Sequence, residues 1–147
     1  MISIYTDGAC SNNQDYENSI GGWAFITVRE SDKKTDGNSG KVLKTTNNRM
    51  EIIAIIKALK FVYIYKDIEE FVVYSDSQYA IETLNGNYKI KKNKDLWDVL
   101  LPLAKEFQNI RFEKIKGHAN NDYNNLVDMW AVNETKGKLW YENSKNI

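Results

Sequence analysis

The chain has 147 residues, 42% of them hydrophobic, enough to build one core that buries most of the surface its unfolded form exposes. Twenty basic and twenty acidic residues cancel, so any attraction for a polyanion must come from local patches or bound metal. The single Cys10 excludes an intramolecular disulfide and a cysteine-rich zinc site, and no apolar run is long enough to span a bilayer. No signal peptide precedes Ile2, so we expect one cytoplasmic domain without membrane contact over residues 1–147, with 138–147 as a loosely ordered tail.

Residues 2–6 and 22–29 are rich in β-branched and aromatic side chains and predict two strands. The polar stretch 30–40 predicts a turn, followed by a short strand at 41–45. From Asn48, the residues Ile52, Ile55, Ile56, Leu59 and Tyr63 recur at helical spacing. A short strand at 71–75, a short helix at 78–84 and a longer helix at 96–107 follow, the last kinked or broken by Pro102. Residues 110–115 alternate as a strand, and Leu126, Val127, Trp130 and Ala131 mark a final helix. The order β-β-β-α-β-α-α-β-α implies a mixed sheet with an antiparallel start and parallel crossovers, covered by helices.

Four carboxylates punctuate these elements: Asp7, Glu51, Asp76 and Asp128. Each has an ordinary explanation when read alone. Asp7-Gly8 fits a turn, Glu51 is the third helical position of a capping box opened by Asn48, Asp76 or Ser77 caps a helix, and Asp128 flanks an apolar stripe. Together they point elsewhere. Like charges gathered in one cleft raise each other's pKa values unless a cation holds them ionised. Oxygen ligands without cysteine, and with one histidine in the whole chain, favour a hard ion such as Mg²⁺ or Mn²⁺ over zinc. Two such ions are suited to hydrolysing a phosphodiester.

Seven blocks, met in order along nearly the whole chain, resemble the type 1 ribonuclease H family: Thr6-Asp7-Gly8-Ala9-Cys10, Gly21-Gly22-Trp23, Thr45 through Glu51, Ser75-Asp76-Ser77-Gln78-Tyr79, Asp95-Leu96-Trp97, Lys116-Gly117-His118-Ala119, and Asn124 with Asp128. The resemblance implies a ribonuclease H-like α/β fold, with a five-stranded mixed sheet flanked by helices on both faces. It also implies hydrolysis of the RNA strand of RNA–DNA hybrids by a monomer. Asp7, Glu51, Asp76 and Asp128 would then hold two Mg²⁺ ions, with Mn²⁺ as a substitute, and His118 would assist proton transfer or product release. By the same transfer Cys10, Asn12, Asn47, Asn48 and Gln78 contact the hybrid near the cut, where the 2′-hydroxyl distinguishes RNA from DNA. Thr46 and Asn93 match residues that grip a DNA phosphate. Trp97 either lines the DNA channel or packs in the core.

The chain also departs from that family. Residues 11–20 form a longer first loop, with Asp15 and Glu17 in place of a proline-rich turn. Between the second helix and Asp95, many relatives carry a longer basic helix and loop, whereas here residues 85–94 retain Lys89, Lys91, Lys92 and Lys94. Those lysines are either a solvated loop or a reduced phosphate-contacting patch. Two rivals remain open at this point: a superfamily nuclease acting on DNA or duplex RNA, and a noncatalytic hybrid-binding module. The four carboxylates disfavour the second.

Overall fold

The computed structural model describes residues 1–115 and 121–136. Strands β1 (Ile2–Ser11), β2 (Ile20–Arg29) and β3 (Lys34–Leu43) form an antiparallel meander. Helix α1 (Asn47–Val62) then crosses over, so that β4 (Phe71–Ser75) lies parallel to β1. Helices α2 (Gln78–Leu84) and α3 (Lys94–Lys105) lead to β5 (Ile110–Lys114), parallel to β4, and α4 (Asp122–Glu134) ends the described fold. The sheet order is β3-β2-β1-β4-β5, the mixed five-stranded arrangement that the element order implied.

The helices divide between the two faces. On one, Ile52, Ile55 and Leu59 of α1 and Trp97 and Leu100 of α3 pack on Ile4, Phe25, Phe71 and Val73. On the other, Val127 and Ala131 of α4 cover Tyr5, Ala24, Ile26 and Val28. A Cβ on Gly22 would come within 2.0 Å of the Ala131 carbonyl oxygen, so only glycine lets α4 lie this close to β2. Among the described residues no helix is long and apolar enough to cross a membrane.

Three sequence expectations need correction. The polar stretch 30–40 is mostly strand: β3 begins at Lys34, paired with Arg29, and the turn is confined to the intervening four residues, with Lys33 at φ 61°. As an edge strand, β3 is largely exposed at its first half and carries little apolar signal. Asp7-Gly8 is not a turn, because β1 continues through both to Ser11. Pro102 does not break α3, which starts at Lys94 and runs without interruption to Lys105. The bond that Pro102 cannot donate would go to the Asp98 carbonyl, and both residues are exposed, so water is available to that oxygen. The expected tail at 138–147 lies outside the described residues.

Candidate active site

The carboxylates gather where the parallel strands β1 and β4 and the start of α1 meet. Tyr5 pairs with Tyr74, so two residues further along each strand Asp7 stands level with Asp76, just past the end of β4. Strand alternation turns Asp7 the same way as Tyr5 and Ala9, toward α4. Glu51 comes from the opposite face, one turn into α1. It reaches the others because Gly8 has no side chain: a Cβ there would lie 2.4 Å from the Met50 carbonyl carbon and 2.5 Å from the Glu51 nitrogen. The gap admits the helix backbone directly onto β1.

The Gly8 N–H then donates to two acids at once, to Asp7 Oδ1 at 2.9 Å and to Glu51 Oε1. Glu51 is therefore no capping residue. The cap of α1 is Thr46, whose Oγ1 accepts from the Arg49 N–H at 3.2 Å, which leaves Glu51 free to face the strand. Ser77 caps α2 by accepting from the Ala80 N–H at 3.1 Å, so Asp76 is likewise not needed as a cap.

Asp7, Glu51 and Asp76 each offer a ligand oxygen, and these oxygens lie within 4.8 Å of one another. Asp128, exposed on α4, stands beside Asp7 and interacts with its carboxyl group, outside that group of three. Asp7 is 4% exposed and Glu51 5%. Burial, then the charge of Asp76, then contact with Asp128 push the Asp7 carboxyl up to about 8. Burial and the neighbouring Asp7 and Asp76 hold Glu51 well above the usual carboxylate range. Burial and mutual repulsion both oppose ionisation, and a divalent cation among the oxygens relieves both. The donor set is oxygen only, as a hard cation requires.

The remaining sequence candidates occupy the same end of the molecule with different freedom. Asn47 and Asn48 are exposed at the start of α1, and Asn12 is exposed with φ 56° and donates to the Asn18 carbonyl at 3.1 Å. Gln78 is exposed and donates to the Tyr88 hydroxyl at 2.8 Å. Cys10 is half-buried with its thiol near the Thr45 carbonyl, and burial pushes its pKa up. His118 lies outside the described residues.

Trp97 requires correction. It is 0% exposed, sits in the core under α1, and spends its indole N–H on the Tyr79 hydroxyl at 3.0 Å, so it cannot line a channel. The lysines separate as well. Lys89, Lys91 and Lys92 line a recess of about 440 Å³ together with Asn48, Tyr79, Asn87, Tyr88 and Asn93. Lys94 instead pairs with Asp98 one turn along α3, at 3.0 Å. Asn48 lies three residues before Glu51, so recess and carboxylates share one face of the start of α1. Gly8, Tyr79 and Tyr88 were not singled out by sequence. The signal for Gly8 was present in its motif, but its value lies in what it lets approach, and this becomes visible only once α1 is docked.

Comparison with known proteins agrees with this geometry. The family model described as RNase H matches residues 1–136. The chain is similar to ribonuclease H of Thermoanaerobacter pseudethanolicus, 38% identical over 150 residues, covering 92% of this chain and 90% of that one. It is similar to ribonuclease H of Acetivibrio thermocellus, 39% identical over 149 residues, covering 92% and 95%. Among solved structures, LC11-RNase H1 in complex with an RNA/DNA hybrid superposes with a TM-score of 0.80 at 24% identity, covering 95% of this chain and 99% of that one. On the match over residues 1–136 and the identity to these relatives, the chain belongs to the ribonuclease H family.

Proposed function

We propose that this protein is a metal-dependent endoribonuclease that hydrolyses the RNA strand of RNA–DNA hybrids, leaving 5′-phosphate and 3′-hydroxyl ends. The observation that carries the reading is the set of three carboxylates with ligand oxygens within 4.8 Å, in a chain of this family. Asp7, Glu51, Asp76 and Asp128 are the proposed ligands of two Mg²⁺ ions, which Mn²⁺ could replace. When bound, such ions activate water and stabilise charge on the attacking and leaving oxygens of an in-line displacement.

The chain's own groups supply position. The Gly8 N–H fixes the orientation of Asp7 and Glu51 before metal or substrate arrives, and Asp128 approaches from the other face of the sheet. Asn47 and Asn48, exposed one turn before Glu51, are placed to meet sugar and base edges near the cut, with Asn12, Cys10 and Gln78 around the same rim. Exposed amides of this kind suit 2′-hydroxyl recognition, which favours a hybrid over duplex DNA. The test is cleavage of labelled hybrid, duplex RNA, duplex DNA and single strands, with and without Mg²⁺. Mg²⁺-dependent cutting of the RNA strand in the hybrid alone is expected. Equal cutting of duplex DNA, or none of any substrate, would refute the reading.

His118 is assigned the transfer of a proton to or from the reacting groups. His118→Ala is expected to lower kcat by roughly 10²–10⁴-fold while leaving measurable turnover. Loss of all activity with metal binding intact would show that its role is different.

The lysine recess is assigned to backbone phosphate. Changing Lys89, Lys91 and Lys92 to Ala is expected to weaken hybrid binding across sequences, and adding Lys94→Ala should contribute least, because Asp98 already neutralises that ammonium. In Ca²⁺, each lost contact should flatten the slope of log affinity against log salt by roughly one. Identical slopes for parent and variant would mark the lysines as a solvated loop.

A further inference from the structure

Asn93 lines the lysine recess and stands in an unusual position. It precedes α3 with φ 60° and ψ 32°, and although it occupies the cap position its side chain makes no capping hydrogen bond. Both ends of its amide are engaged elsewhere. Oδ1 accepts from the Arg49 guanidinium at 3.3 Å, and Nδ2 donates to the Tyr79 hydroxyl at 3.2 Å. Arg49 is itself fixed by a two-pronged pair with Asp95, at 3.0 and 2.8 Å, which holds the Asp95 carboxyl down at about 2. A flipped amide would set its NH₂ against a guanidinium, so this partner fixes which end is which.

The Tyr79 hydroxyl is the hub. It accepts from the Trp97 indole at 3.0 Å and from Asn93, and it donates to the Lys92 carbonyl at 3.4 Å, so its single hydrogen and both lone pairs are used. Its ring packs edge-on against Trp97, with centroids 5.9 Å apart. The buried indole thus anchors the hydroxyl, and the hydroxyl anchors the segment 92–93 at the mouth of the recess. Of the two N–H groups on Asn93 Nδ2, one goes to Tyr79, and among the described residues the second has no partner, on a residue that lines the recess. An amide held this way presents a donor, and cannot rotate to present its oxygen, to an anion seated among Lys89, Lys91 and Lys92.

We infer that Tyr79 is a positioning residue for hybrid binding: with the Arg49–Asp95 pair it locks the Asn93 amide so that an N–H faces a backbone phosphate in the recess. This rests on the hybrid-cleavage reading above and assigns the orienting group for that same substrate. The test is a steady-state double-mutant cycle on a labelled RNA–DNA hybrid in Mg²⁺, with Tyr79→Phe, which keeps the ring, and Asn93→Gly, which tolerates the positive φ while removing the amide. Tyr79→Phe is expected to raise KM about tenfold, as for the loss of one charge-assisted hydrogen bond, with kcat within about twofold. Asn93→Gly should do the same, and the double variant should be no worse than either single one. A purely structural tyrosine would lower kcat and KM performance together and add to the asparagine's effect. An unchanged KM in Tyr79→Phe, a parallel fall in kcat, or additive effects would overturn the inference while leaving the enzyme assignment intact. Absence of hybrid cleavage by the parent would overturn the assignment and this inference with it.

Discussion

Asp7→Asn is expected to abolish hybrid cleavage, with kcat reduced by roughly 10³-fold or more, since the variant loses a charged oxygen at the centre of the metal-binding group. The same change should make the metal-free protein more stable at alkaline pH. In the folded, metal-free state the Asp7 carboxyl keeps its proton up to about pH 8, whereas the unfolded chain releases it near the ordinary value of 3.8. The folded state therefore binds more protons across that interval. This contribution to stability is complete below about pH 4 and is lost as pH rises through 8. Asparagine does not ionise, so the variant should have the flatter dependence and the higher Tm at pH 8.5. Each kcal/mol of relief is worth roughly 2–6 °C at this chain length. Calorimetric melts at pH 4, 6 and 8.5, one series in EDTA and one in Mg²⁺ without chelator, check it. Mg²⁺ should stabilise the parent far more than the variant, and increasingly so with pH, because the ion competes with the bound proton. Parallel pH profiles for the two proteins would contradict the cluster's electrostatics, and near-normal turnover in Asp7→Asn would remove Asp7 from the ligand set.

Much of the fold was legible because strands and helices here write their usual periodicities. The segments 71–75 and 78–84 match β4 and α2 residue for residue, since a run of Phe, Val and Tyr ends at a serine cap. β3 was not legible. An edge strand paired on one side only and exposed over most of its first half carries polar residues, and its identity lies in the Arg29–Lys34 register, not in its composition. The site divides in the same way. Asp7 and Asp76 each follow an apolar, strand-like run in the sequence, and the parallel pairing of β1 with β4 sets the two side by side. Glu51 was open to a capping reading because Asn48 and Glu51 have that spacing, and the true cap, Thr46, lies two residues earlier. Trp97 was ambiguous for a plain reason: an aromatic in an amphipathic helix has the same spacing whether its face meets a core or a ligand, and only the docking of α3 under α1 decides. The Tyr79 network joins α1, α2 and α3 through hydrogen bonds between residues distant in sequence, and no local pattern encodes it.

Gly8→Ala is expected to damage stability and catalysis together, through geometry alone and without touching a charge. The added methyl would meet the Met50 carbonyl carbon at 2.4 Å, the Glu51 nitrogen at 2.5 Å and the Met50 oxygen at 2.8 Å, all backbone atoms that no rotamer change can move aside. Either α1 lifts from β1 or the strand bends. Overpacking of this kind costs about 1–3 kcal/mol, occasionally more, and a rigid contact with helix backbone belongs at the upper end. Because α1 also carries Glu51, the lift separates that carboxylate from Asp7 and weakens the N–H that both share. A displacement of about 1 Å at a positioned group lowers turnover by roughly 10²-fold. The expected result is a folded protein with a lower Tm, a weaker apparent Mg²⁺ affinity and a kcat that excess Mg²⁺ does not restore, while hybrid affinity in Ca²⁺ falls less than kcat, because Lys89, Lys91 and Lys92 stand on the segment between α2 and α3 and α1 adds only Asn48 to the recess lining. Circular dichroism melts, Mg²⁺ titration of turnover and a Ca²⁺ binding assay separate these effects. A variant with parental kcat would mean that Glu51 does not depend on the close seating of α1 on β1, and the positional argument for the site would fail.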